Sequence, residues 1–243
     1  MSSTGAHALI AAASESPYVR LCDLRNGAFA QSFIAHQSGS SAVAWSPQKP
    51  YELASGGLDG KLRVWDIRQT SSHVHEFGSS RKNGCAHDSI VSGLLIADDG
   101  LCLFSTGSDR RVCAWNIALP RSPMFDIGTG VDGGSNTSSI NTVEMALTPG
   151  PNGTTSGAVL FIPSGNSRTV LAVSACTGEQ LAQLDGHFGP SLTAAWQSTG
   201  NELYTGGTDS NVIAWCAREV LGRDQTELRV DSWSDNDANE DSA

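Results

Sequence analysis

At 243 residues, 39% hydrophobic and 7% aromatic, the chain is long enough to bury a good core as a single β domain in water. It has no apolar run of 18 residues, which excludes a membrane-spanning helix, and Met1 to Ala13 lacks the basic start and long apolar stretch of a secretory signal. The net charge of −10 opposes autonomous, nonspecific binding to nucleic acid, and six cysteines without metal-ligand spacing point to a reducing compartment.

In chain order, a short apolar stretch, Ala8 to Ala13, reads as a strand leading through Glu15-Ser16-Pro17 into a second, Tyr18 to Leu24. After His36 come Ala42-Val43-Ala44-Trp45 and Leu53-Ala54-Ser55. After His87 the runs Ile90 to Ile96, Leu101 to Thr106 and Arg111 to Asn116 are parted by Asp98-Asp99-Gly100 and Gly107-Ser108-Asp109-Arg110. Short β-rich runs punctuated by Gly and Asp turns predict an antiparallel meander. Further strands are expected at Asn141 to Leu147 and Ala158 to Pro163, then at Val170 to Val173, Leu192 to Trp196 and Leu203 to Thr205. The last 13 residues hold five acids and no base, and 219–243 reads as a disordered acidic tail.

One pattern occurs three times: His36, Ser55, Asp59, Trp65; His87, Ser105, Asp109, Trp115; and His187, Thr205, Asp209, Trp215. Asp to Trp is six residues each time, and His to Trp is 29, 28 and 28. Such regularity means one supersecondary unit used repeatedly. Ser, His and Asp together suggest a hydrolase triad. Three recurrences, each with its own Trp, instead fit a structural network: a buried Asp needs partners, and imidazole, hydroxyl and indole N–H supply them. Neither a catalytic residue nor a metal or cofactor site is expected, since each His belongs to a different unit. Two degenerate copies fill the gaps. Leu21-Cys22-Asp23-Leu24 stands where Val64-Trp65-Asp66-Ile67 stands 43 residues later. Val173 replaces Trp, and Ser167 replaces Asp, in the fourth copy. Those two units are expected to hold by apolar packing.

These residues, with the Trp65-Asp66 dipeptide, resemble the WD-repeat family. That resemblance implies an all-β propeller of four-stranded blades, with Asp59, Asp109 and Asp209 as network acceptors and the three Trp as terminal donors. The expected layout is a propeller over 1–218 with a partial blade at 1–29, blades near 30–70, 85–120, 138–178 and 185–218, and the tail at 219–243. Four and a half blades make an incomplete ring, so the chain reads as part of a longer protein, or else as a genuine small propeller or an arc completed by a partner chain.

Within that family, an ordered series resembles the Cockayne syndrome group A family. It comprises Val19-Arg20-Leu21-Cys22-Asp23-Leu24, Ala44-Trp45-Ser46-Pro47, Val64-Trp65-Asp66-Ile67-Arg68, Phe161-Ile162-Pro163 and Thr177-Gly178-Glu179-Gln180. It continues with Leu184-Asp185-Gly186-His187-Phe188, Glu202-Leu203-Tyr204-Thr205-Gly206, Asn211-Val212-Ile213-Ala214-Trp215 and Ser232-Trp233-Ser234-Asp235. The resemblance implies a nuclear, non-enzymatic substrate receptor of a cullin-RING ubiquitin ligase in transcription-coupled nucleotide excision repair. Implied partners are the damaged-DNA-binding adaptor and the cullin, with stalled RNA polymerase and repair factors reached through the complex and no direct contact with nucleic acid or membrane. It further implies adaptor contacts at Trp65, Asp66 and Arg68 and at the variant box Asp23 and Arg25. The alternatives are a WD-repeat scaffold in another complex, or a fragment without independent function.

Overall fold

In a computed structural model of the protein, the described residues are 9–80, 83–128 and 142–216. They form five antiparallel sheets. The first comprises β1 (Leu9–Ala12), β2 (Tyr18–Asp23) and β3 (Ala28–Ile34). The second has β4 (Ser40–Trp45), β5 (Glu52–Gly57), β6 (Leu62–Asp66) and β7 (His75–Glu76). The third has β8 (Val91–Ile96), β9 (Cys102–Gly107), β10 (Arg111–Asn116) and β11 (Phe125–Gly128). The fourth has β12 (Ala146–Leu147), β13 (Val159–Pro163), β14 (Thr169–Ser174) and β15 (Gln180–Asp185), and the fifth has β16 (Ser191–Gln197), β17 (Glu202–Gly207) and β18 (Val212–Cys216). Each sheet is a meander whose strands pair in sequence order. The fold is all-β and propeller-like, and among the described residues it is not a closed ring.

The expected blade boundaries are displaced by one strand. The first sheet does not stop at 29, because β3 pairs with β2 through Val19↔Phe33 and Tyr18↔Ile34. Likewise β15 pairs with β14 through Val170↔Leu184, so the fourth sheet runs to Asp185 rather than 178. The second sheet extends to Glu76 and the third to Gly128, where 70 and 120 were expected. The physical reason is that β3, β7 and β15, the last strands of their sheets, precede His36, His87 and His187 of the following repeat. The sequence period therefore begins on one sheet and ends on its neighbour. The expected strand at Asn141 to Leu147 is only Ala146–Leu147 as a paired strand, and Asn141 lies outside the described residues. The tail at 219–243 also lies outside them.

Alternation along the strands gives the second, third and fourth sheets two apolar faces, and both are used, while the first and fifth each pack through one. Val19, Leu21 and Phe33 of the first sheet pack on Leu53 and Trp65 of the second. The opposite face of the second, Ala54, Leu62 and Val64, packs on Leu103, Cys113 and Trp115 of the third. Phe104, Val112 and Ala114 then meet Leu160, Leu171 and Val173 of the fourth. The fourth meets the fifth through Ala146, Ala194 and Leu203, with Phe161 stacked on Trp196 at 6.0 Å between ring centroids. Burying each such large side chain contributes roughly 1.5–3 kcal/mol, so stacking between sheets is the main source of stability.

Inner strands are also joined by hydrogen bonds. Ser41 Oγ donates to the Val91 carbonyl at 2.6 Å, tying β4 to β8. The segment before β12 bonds to two sheets that are not its own. Val143 N–H donates to the Ser92 carbonyl at 2.9 Å, Glu144 N–H to the Leu192 carbonyl at 2.9 Å, and Ala194 N–H to the Glu144 carbonyl at 2.8 Å. Gly93 makes this possible: a Cβ there would stand 2.2 Å from the Val143 carbonyl oxygen.

Candidate functional site: buried networks and two exposed Asp-x-Arg corners

The three His sets form three separate networks, one each in the second, third and fifth sheets. In the second, His36 Nδ1 lies 3.0 Å from Asp59 Oδ1 and Nε2 lies 2.9 Å from Ser55 Oγ, which also accepts the Trp65 indole N–H at 2.9 Å. In the third, His87 contacts Asp109 at 3.1 Å and Ser105 at 2.8 Å, with Trp115 at 2.9 Å. In the fifth, His187 contacts Asp209 at 3.1 Å and Thr205 at 2.9 Å, with Trp215 at 2.8 Å. Proton counting fixes the roles. An ionised carboxylate only accepts, so Nδ1 donates to it; in that tautomer Nε2 accepts from the hydroxyl, which in turn accepts the indole N–H.

Backbone N–H groups complete the carboxylates of the third and fifth sheets, whereas Asp59 Oδ2 in the second is buried without a partner. Asp109 accepts from Asp88 and Arg111, and Asp209 from Phe188 and Asn211. Burial pushes the Asp109 carboxyl up, but the His87 hydrogen bond and these N–H groups outweigh it, and its pKa falls below the ordinary carboxylate value. The same balance lowers Asp59 through His36 and Lys61. At Asp209, where burial again opposes, the Phe188 and Asn211 N–H groups and His187 bring it to about 2. All three imidazoles have no exposed side-chain surface, and the hydroxyls of Ser55 and Ser105 are fully buried. Each hydroxyl is occupied at both its donor and its acceptor positions, so the geometry is that of a bolt within a blade rather than an attacking nucleophile.

A fifth member of this motif escaped sequence reasoning. Gly57, Gly107 and Gly207 stand two residues before each Asp. A Cβ at Gly57 would lie 2.2 Å from Asp59 Oδ1 and 2.3 Å from His36 Nδ1; at Gly107 the two distances are 2.5 Å, and at Gly207 3.0 Å. The His–Asp pair occupies the space a side chain would need. A glycine at the same offset in all three copies was the available signal.

The degenerate fourth sheet is not held by apolar packing alone, contrary to expectation. Ser167, standing where Asp stands elsewhere, donates to Ser164 Oγ at 2.7 Å, and Ser164 Oγ donates to the Ser167 carbonyl at 2.6 Å. From the fifth sheet Ser191 Oγ donates to the Thr169 carbonyl at 2.6 Å. Small hydroxyls close the turn that the His–Asp pair closes elsewhere. In the first sheet Cys22 takes the Trp position, and Val19, Leu21 and Phe33 supply apolar packing.

The two Asp-x-Arg boxes occupy equivalent corners, at the C-terminal ends of β2 and β6, each the strand before the last of its sheet. Asp66 accepts the Arg68 backbone N–H at 3.0 Å, its Nε–H at 2.9 Å and its Nη2–H at 2.6 Å. Arg68 is also stacked 4.5 Å over the Tyr51 ring. Asp23 and Arg25 repeat the arrangement at 2.9, 3.0 and 2.6 Å. Side-chain and backbone hydrogen bonds from Arg25 bring the Asp23 carboxyl to about 2, and Arg68 lowers Asp66 in the same way. The guanidinium groups stay outward, with side chains 74% exposed at Arg25 and 62% at Arg68. A carboxylate clamping its own Arg two residues on presents a pre-oriented cation, which lowers the entropy lost on binding a partner's carboxylate or carbonyl. Trp65 departs from the expected surface set. It is only 4% exposed, 5.0 Å from Phe33 between ring centroids, and its N–H is committed to Ser55, because its β6 position faces the first sheet.

Comparison with known proteins agrees with this architecture. The profile of the WD domain, G-beta repeat (WD40), matches residues 27–66, 78–116 and 178–216, each beginning near the last strand of one sheet and ending at the third strand of the next. The chain is 26% identical over 304 residues to WD repeat-containing protein ATCSA-1 of Arabidopsis thaliana, covering 94% of this chain and 65% of that protein. It is 30% identical over 128 residues to ribosome biogenesis protein YTM1 of Coccidioides immitis, covering 51% of this chain and 28% of that one. It is 28% identical over 96 residues to DDB1- and CUL4-associated factor 13 of Homo sapiens, covering 38% and 20%. The chain thus spans less than two thirds of the length of these relatives. Among solved structures, a chain of the mitotic checkpoint complex superposes with a TM-score of 0.68 at 19% identity, covering 87% of this chain and 58% of that one, a likeness of fold. Three segments of the chain thus match the WD40 repeat, and its fold is propeller-like.

Proposed function

We propose that this chain is a non-enzymatic docking scaffold that serves as a substrate receptor of a cullin-RING ubiquitin ligase. The observation that carries the reading is the pair of equivalent Asp-x-Arg corners on adjacent sheets, each with a clamped, outward-facing guanidinium. Two such cations on one rim make a bidentate docking edge for an adaptor, while the remaining blade surfaces are left for clients. The partial likeness to a DDB1- and CUL4-associated factor supports an adaptor of that class. Action in transcription-coupled nucleotide excision repair, with a nuclear location and contact to stalled RNA polymerase through the assembled complex, is the finer form of the proposal. It rests on the ordered motif series described under the sequence.

The test is co-purification of the full chain, and of its Arg25→Ala/Arg68→Ala double variant, with the damaged-DNA-binding adaptor and cullin. Capture by the parent and loss of at least tenfold in the variant is expected. A chain that captures neither subunit, or a double variant that binds undiminished, overturns the adaptor role and leaves a scaffold of another assembly. The ribosome biogenesis relatives make that the reading to examine next.

A further inference from the structure

A third corner continues the edge that carries Arg25 and Arg68, and the function above does not use it. At the C-terminal end of β10, again the strand before the last of its sheet, Asn116 Oδ1 accepts the Ala118 backbone N–H at 2.9 Å. Asp23 and Asp66 accept the N–H groups of Arg25 and Arg68 in the same way, at 2.9 and 3.0 Å. One backbone turn is thus repeated on three sheets that pack in succession, with Ala118 where the other two place a guanidinium. The residue beneath changes with it. Ile67 N–H donates to the Tyr51 carbonyl and Ile117 N–H to the Leu101 carbonyl, both at 2.9 Å, so Leu101 stands where Tyr51 stands. Arg68 lies over the Tyr51 ring, whereas an Ala is too short to cover Leu101, which is left 59% exposed. Leu119, the residue after Ala118, is 71% exposed.

We propose that Leu101 and Leu119 form an apolar anchor on the adaptor-docking edge. The partner surface then sets carboxylates or carbonyls opposite the first two sheets and an apolar hollow opposite the third. The inference rests on the docking role proposed for Arg25 and Arg68. Exposed ion pairs orient an encounter but contribute little affinity, and a stable interface adds an apolar centre beside its polar contacts. The loop bearing Leu119 is held in place before any partner arrives. Leu119 N–H donates to the Asn116 carbonyl at 3.1 Å, Gly78 N–H to the Pro120 carbonyl at 3.3 Å, and Ser80 donates to the Arg121 carbonyl through N–H at 3.2 Å and Oγ at 2.6 Å. A pinned apolar side chain loses little freedom when it is covered. The order cation, cation, apolar also sets register, since a shift by one sheet would bring a partner carboxylate against Leu119.

Co-purification with the damaged-DNA-binding adaptor tests this, using the full chain, its Leu101→Ser/Leu119→Ser and Leu101→Met/Leu119→Met variants, and Leu119→Ser alone. Capture by the double Ser variant is expected to fall about tenfold, the scale of leaving an apolar side chain uncovered. The Met variant should bind as the parent does. Raised salt should weaken the contribution of Arg25 and Arg68 and leave that of the leucines in place. Leu119→Ser, which alters only exposed surface, should show part of the loss at an unchanged melting temperature. Undiminished capture by both Ser variants, while Arg25→Ala/Arg68→Ala loses it, overturns the anchor and leaves the docking role standing. A parent that captures no adaptor overturns both. A concentration-dependent dimer of the isolated chain that the Ser variants abolish assigns the patch to a second copy and overturns its assignment to the adaptor.

Discussion

Gly107 and His87 share one space: a Cβ on the glycine would stand 2.5 Å from the imidazole Nδ1 that holds Asp109. A steric fact of this kind predicts a graded series. Gly57→Ala meets its His and Asp at 2.3 and 2.2 Å, Gly107→Ala at 2.5 Å and Gly207→Ala at 3.0 Å, so the loss of stability falls in that order. Overpacking of a rigid site costs about 1–3 kcal/mol, and urea unfolding midpoints of the three variants measure it. Equal losses, or the reverse order, would refute the role given to these glycines.

Removing the bridging hydroxyl is expected to be costly although Ser105→Ala deletes one atom. It strands the Trp115 N–H and the His87 Nε2 lone pair in a fully buried place. Unsatisfied buried groups cost roughly 1–3 kcal/mol each, seen as a lowered unfolding midpoint with an unchanged denaturant slope. A neutral Ser105→Ala would mean the network contributes nothing net.

Acid sensitivity follows from the lowered carboxylates. Asp59, Asp109 and Asp209 titrate below their unfolded value in the native state, so their stabilisation is present above about pH 4 and is lost as pH falls through the folded values. For Asp209 the window closes at about pH 2. Asp209→Asn should flatten the decline of stability between pH 4 and pH 2 in thermal melts at matched ionic strength; an unchanged slope counts against the assignment.

The Arg corners behave oppositely. Arg25 and Arg68 pair within two residues and remain largely exposed, so Arg25→Ala should leave the melting temperature nearly unchanged. Arg68→Ala also loses its stack on Tyr51 and should lower it slightly more. Melts of each single variant decide this. A collapse of the fold in either would show that the corner supports the blade rather than presenting a surface.

Gly93→Ala is expected to separate sheets that the sequence keeps far apart. The methyl would collide with the Val143 carbonyl backbone, which cannot swing away as a side chain can. The Val143 amide, bonded to the Ser92 carbonyl in the parent, should then exchange faster while β10 amides keep their protection. Unaltered exchange at Val143 would disprove the close approach.

What was legible in the sequence is what lies within one repeat. Asp to Trp is six residues along a tight turn and its strand, so the His, hydroxyl, Asp and Trp positions follow from spacing once the period is seen. The Asp-x-Arg clamp is equally local, a carboxylate closing on a backbone N–H and guanidinium two residues away. Other relations depended on which strand finds which neighbour. β3, β7 and β15 precede the His of the following repeat, so the boundary at 29 cut through a region that β2 and β3 hold together. Trp65 lies inward because β6 turns that face toward the first sheet, although its motif suggested an exposed box. The Ser191 hydroxyl, and the Val143 segment between β8 and β16, carry no spacing signal, since their partners come from different sheets. Periodicity records contacts within a repeat, whereas contacts between sheets arise only when stacked apolar faces bring distant backbone groups within hydrogen-bonding reach.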